Sequence, residues 1–130
     1  MTTVALSTDR ASAAAIPILF VSDDADLRAA AVRVLGRAGF EVIAVAHVGH
    51  ATLACIERPG ISLLIIEDDL PDGNGVEAAG RLRRYAPDLR VVRMCNRGSG
   101  APGPGVAVRR PFTADDLLTA LADAMTASAS

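Results

Sequence analysis

The side chains able to do chemistry gather at two places, Ser22-Asp23-Asp24 and Glu67-Asp68-Asp69. Each group follows an unbroken apolar run, Ile18-Leu19-Phe20-Val21 or Leu63-Leu64-Ile65-Ile66, which reads as a strand buried on both faces of a parallel sheet. The carboxyl edge of such a sheet is where ligands and chemistry sit. Two parallel strands ending side by side would bring Asp23 and Glu67 together in an acidic pocket with Ser22, Asp24 and Asp68, although strand alternation points Asp68 away from the side used by Glu67.

Other chemistries are excluded by residue type. All 13 cationic side chains are Arg, so no lysine can form a Schiff base or serve a phosphate-binding loop. Cys55 and Cys95 are not spaced as a metal knuckle or a redox pair, and reduced thiols are expected. His47 and His50 flank Gly49 and read as a solvent-facing loop rather than a chelate. Gly73, Gly75 and Gly80 make no dinucleotide fingerprint, because the first turn is Ser22-Asp23-Asp24-Ala25 and not glycine-rich. With 13 cations against 15 acids the net charge is -2, and no field recruits nucleic acid.

The elements that must carry the pocket follow from periodicity. The chain has 130 residues, about the size of one domain. The pattern predicts a loose tail over 1–15 and one domain over 16–127. Strands are expected at 16–21, 40–46, 61–66, 90–94 and 106–108. Helices are expected at 25–38, with Leu27, Ala31, Val34, Leu35 and Ala38 inward, and at 51–57, with Leu53 and Ile56 inward. Two more are expected at 75–85 and 113–127. Between 96 and 105 the sequence Asn-Arg-Gly-Ser-Gly-Ala-Pro-Gly-Pro-Gly holds no helix, since Gly and Pro are the worst helix formers. Alternating strands and helices give an α/β fold with a doubly wound five-stranded parallel sheet. No apolar run approaches a membrane span, and nothing resembles a secretory signal, so a cytoplasmic protein is expected.

Three signposts fall after the right strands in the right order: Val21-Ser22-Asp23-Asp24, Leu70-Pro71-Asp72-Gly73-Asn74-Gly75, and Arg110-Pro111-Phe112. On these the chain resembles the receiver domains of two-component response regulators, the CheY-like (flavodoxin-like) fold, over roughly residues 16–125. The resemblance implies strand order 2-1-3-4-5, with the family's fourth helix shortened or missing here. It also implies a chemical position for each altered residue. The acid pair that holds Mg2+ becomes Ser22 and Asp23. The phosphoacceptor position, four residues before Pro71, holds Glu67 in place of Asp, and the carbonyl that would bind metal belongs to Asp69. The hydroxyl position becomes Cys95, the aromatic switch position Ala107, and the lysine before Pro111 becomes Arg110.

Those substitutions have physical consequences. Phosphoryl transfer needs reacting atoms about 3–3.5 Å apart, and an error of about 1 Å costs on the order of a hundredfold. Glu67 adds one methylene, a step of roughly 1.5 Å, so it is expected to be a poor acceptor whose fixed charge projects into the space of an aspartyl phosphate. Asp23, Glu67 and Asp69 then form a weak or absent Mg2+ site, and no cofactor is required. Arg110, able to clamp a carboxylate with two hydrogen bonds, is expected near Glu67 or Asp23. The leading reading is a non-enzymatic pseudo-receiver that docks to signalling proteins, a histidine kinase or a downstream target, with homodimerisation left open and neither nucleic acid nor membrane as partner. Two alternatives remain: a working Mg2+-dependent receiver with an atypical acceptor, and a small phosphohydrolase.

Overall fold

A computed structural model describes residues 15–96, 103 and 105–126. The elements are β1 (Ile16–Val21), α1 (Ala25–Arg37), β2 (Phe40–Val45), α2 (Val48–Glu57), β3 (Leu63–Glu67), α3 (Gly75–Leu82), β4 (Arg90–Cys95), β5 (Val106–Arg109) and α4 (Ala114–Thr126). The five strands form one parallel sheet in the order β2-β1-β3-β4-β5. This is the doubly wound arrangement expected from the alternation of strands and helices. A two-residue antiparallel ribbon, Asp69–Leu70 against Gly73–Asn74, follows β3. The tail over 1–14 lies outside the described residues, as does most of the segment where the fourth helix was expected to be short or missing. Asn96, Gly103 and Gly105, the described parts of that segment, are not helical.

Strand alternation sends successive side chains to opposite faces, and each face has its own core. Leu19, Val21, Leu64, Ile66 and Val91 pack against α2 and α3 through Ala51, Ala54, Cys55, Ala78, Ala79 and Leu82. Ile18, Phe20, Leu63, Ile65, Val92, Met94 and Val108 pack against α1 and α4 through Ala31, Leu35, Leu117, Ala120, Leu121 and Ala124. Burying one such large aliphatic side chain contributes about 1.5–3 kcal/mol. With both layers filled, the residues at the strand ends are held by a stiff frame.

The structure corrects several boundaries. The second helix begins at Val48, three residues before the expected start, because the carboxylate of Asp72 accepts the Val48 N–H at 3.0 Å and caps the helix from a distant loop. That phase buries Val48, Ala51, Ala54 and Cys55, leaving Leu53 and Ile56, both expected inward, 54% exposed. Ala38 likewise lies past the end of α1 and is exposed, and α3 stops at Leu82 rather than Tyr85. Leu82, its last residue, is fully buried, and Arg83 just beyond donates to the Leu89 carbonyl. The central strand runs to Glu67, so this acid belongs to the sheet and not to the loop.

Candidate functional site

The pairing of β1 with β3 aligns Val21 with Ile66, which brings Ser22 and Glu67 level at the carboxyl edge of the sheet. Both lie on the α1/α4 side, in phase with Phe20 and Ile65. The Ser22 hydroxyl donates to Glu67 Oε2 at 2.5 Å, and the Arg110 guanidinium donates to Glu67 Oε1. Glu67 is 11% exposed at the side chain and Arg110 33%. Arg110 precedes Pro111 in a cis peptide, and its N–H is tied to the Cys95 carbonyl at 2.9 Å. Both carboxylate oxygens of Glu67 therefore have a partner, one neutral and one cationic.

The pocket expected from sequence is otherwise rearranged. Asp23, just beyond β1, is exposed, and its carboxylate has no hydrogen-bond or ion-pair partner among the described residues. Asp24 is the N-cap of α1, its Oδ1 accepting the N–H groups of Asp26 at 3.0 Å and Leu27 at 3.1 Å. Asp69 is exposed and takes a hydrogen bond from the Asn96 amide at 3.4 Å. His47 and His50 lie ring to ring, 5.5 Å apart, with both residues exposed at the start of α2.

Asp68 belongs to a second constellation on the opposite face. The pairing Ile66 with Arg93 sets Arg93 on the α2/α3 side, where Asp68 also points. Arg93 Nη1 donates to Asp68 Oδ1 at 3.1 Å and Oδ2 at 2.8 Å, with 5% and 11% of the two side chains exposed. Cys95 joins them, its thiol donating to Asp68 Oδ2 at 3.1 Å. Burial first, then the hydrogen bond and charge of Asp68, push this thiol above its ordinary pKa, with Arg93 and Arg109 pulling the other way. Sequence reasoning missed the pairing. The available signal was a charged residue inside the buried strand Arg90-Val91-Val92-Arg93-Met94-Cys95, since an arginine there needs a partner. Ala107, at the switch position, is exposed on β5.

Glycine makes this edge compact. A Cβ on Gly75 would lie 2.2 Å from the Glu67 carbonyl oxygen, so only glycine lets α3 start against the end of β3. Its N–H is bonded to the Asp68 carbonyl at 2.8 Å, and Asn74 Oδ1 caps α3 through the N–H groups of Val76 and Glu77.

Glu67 is closed by a hydroxyl and a guanidinium, and no group of three or more His, Cys, Asp or Glu that could hold a metal occurs among the described residues. No helix among them is long and apolar enough to cross a membrane.

The comparisons agree with this architecture. The family model for the response regulator receiver domain matches residues 18–101. The response regulator receiver protein CpdR of Brucella abortus is 31% identical over 108 residues, 78% of this chain and 89% of that protein. A protein-glutamate methylesterase/protein-glutamine glutaminase of Paramagnetospirillum magneticum is 33% identical over 78 residues, 59% of this chain, which spans only 20% of that relative's length. Among solved structures, a response regulator receiver protein from Sinorhizobium medicae superposes with TM-score 0.76 at 24% identity, covering 87% of this chain and 96% of that one. Chemotaxis protein CheY4 of Vibrio cholerae gives 0.76 at 20%, covering 85% and 99%. A parallel sheet in this order, with its acids at the carboxyl edge and a family match over most of the chain, makes this protein a member of the response regulator receiver domain family.

Proposed function

We propose that this chain is a pseudo-receiver of a two-component pathway, a signalling module whose acceptor pocket is permanently closed and which acts by docking to another protein. The observation that carries the reading is the double engagement of Glu67, with Ser22 on one oxygen and Arg110 on the other. Acylation needs a carboxylate oxygen free to attack in line. Here each oxygen is tied up, and the guanidinium supplies as a fixed charge what a cation would supply reversibly. The pocket therefore holds one negative charge and its counter-ion at all times, where a phosphoryl group would add about two negative charges on demand.

The role is non-enzymatic in this reading. The methylesterase relative exceeds the matched region about fivefold in length, and the pocket offers no second nucleophile or general acid for turnover of a phosphate ester. Partners are a histidine kinase or a downstream target, met through protein surface alone, with net charge -2 giving no electrostatic call on nucleic acid. A working receiver with an atypical acceptor is the second reading, favoured by the unpartnered carboxylate of Asp23. A Mg2+ titration followed by amide NMR separates them. The pseudo-receiver shows no saturating shift at Asp23, Glu67 and Asp69 at millimolar ion. A saturating shift at those three residues favours the working receiver.

A further inference from the structure

We propose that Asp68, Arg93 and Cys95 form a lock that holds the end of β4 in one state, whatever the charge at Glu67. By the family resemblance, position 95 is where a side chain reads the acceptor. In this chain the Cys95 thiol is already committed to Asp68, at 3.1 Å. Asp68 in turn is held through both oxygens by Arg93. Register puts this cluster and the acceptor pocket on opposite faces. Glu67 is level with Met94, whereas Arg93 is level with Ile66 and shares its side with Asp68 and Cys95. Among the described residues, the hydrogen bonds of Glu67 lead to position 95 only through Arg110 and end on the Cys95 carbonyl, not on the thiol that Asp68 holds.

The cluster also grips the backbone around it. The Asp68 N–H is bonded to the Met94 carbonyl and the Arg110 N–H to the Cys95 carbonyl, both at 2.9 Å. At the far end of the β4–β5 connection, a Cβ on Gly103 would lie 3.2 Å from the Arg93 guanidinium carbon and 3.0 Å from the Val76 side chain. Gly103 thus rests directly on Arg93 and on the first turn of α3. Asn96, at the near end, is tied to Asp69. A buried ion pair confers little net stability against an apolar pair of the same size, but it is strict about geometry. That suits a part whose work is to hold one arrangement.

The lock extends the pseudo-receiver reading to the output side and rests on it only for its biological meaning. Native-state hydrogen exchange on the full chain tests it without phosphate chemistry, so a phosphorylated Glu67 would defeat the closed pocket and leave the lock standing. In Asp68→Leu/Arg93→Met, exchange at the Asp68 and Arg110 amides, bonded to the Met94 and Cys95 carbonyls, should rise about tenfold or more while that of Leu64 and Val92 stays native. In Glu67→Gln the Asp68 amide should stay within about twofold of native. Native-like exchange in the double variant overturns the lock, as does equal loosening of the Asp68 amide by Glu67→Gln. Should the double variant fail to fold, Arg93→Lys keeps the charge without the planar fork; it should loosen the Asp68 and Arg110 amides to a lesser degree, and no loosening again overturns the proposal.

Discussion

Glu67 and Asp68 are covalent neighbours, yet each has been given its own arginine on its own face of the sheet. Glu67 meets Arg110 from the turn after β5 and a hydroxyl from the end of β1, in a pair one-third open to solvent on the cationic side. Asp68 meets Arg93 from within β4 and a thiol two residues on, in a pair whose arginine is only 5% exposed. The two carboxylates are equally buried, and the difference lies in their cations. On the proposed reading, the open pair fills the acceptor pocket and the buried pair fixes the frame beside it.

The largest effect should come from breaking the buried side. Arg93→Met leaves Asp68 charged and unpaired in the interior, and should cost about 3–5 kcal/mol in urea unfolding. Adding Asp68→Leu should recover most of that loss, because an apolar pair removes the stranded charge. Equal costs for the single and double variants would mean the pair is not coupled.

On the open side the same operation should matter less. Arg110→Met removes an arginine already one-third exposed and leaves a carboxylate that Ser22 still bonds, and a loss of about 1–2 kcal/mol is expected. A loss as large as that of Arg93→Met would erase the contrast between the faces.

The smallest effect sharpens the comparison through pH. Burial raises the pKa of Cys55, and burial together with Asp68 raises that of Cys95. The folded chain therefore keeps protons that the unfolded chain gives up near the ordinary thiol value of about 8.5. The contribution of these thiols is complete below that value and is lost as pH climbs through their raised native range. Urea midpoints should fall with alkaline pH, and Cys55→Ala/Cys95→Ala should show a shallower fall over the same range. An unchanged slope would contradict the assignment.

Much of the fold could be read in the chain because it rests on local pattern. Apolar runs bounded by turns gave five strands, and Gly39, at φ 100°, ended α1 where the pattern stopped. Arg110 was expected beside one of the acids on the chemistry of its guanidinium, and the structure brings it to Glu67. What could not be read depends on partners far along the chain. The start of α2 is capped by Asp72 and not by His47, so no local signal marked it. Alternation alone points Asp68 away from Glu67, but that Ser22 shares the face of Glu67 and Arg93 that of Asp68 depends on register. Asp24 carried a visible N-cap signal, an acid just before a helix, that was absorbed into the idea of an acidic pocket.

The central claim is that three altered side chains, and not a defective scaffold, close the acceptor pocket. Incubating the native chain and a Ser22→Asp/Glu67→Asp/Arg110→Lys variant side by side with acetyl phosphate and Mg2+, then weighing each intact, tests it most directly. A phosphoryl adduct on the variant and none on the native protein is the result this account predicts. An adduct on native Glu67, or silence from both chains, would contradict it.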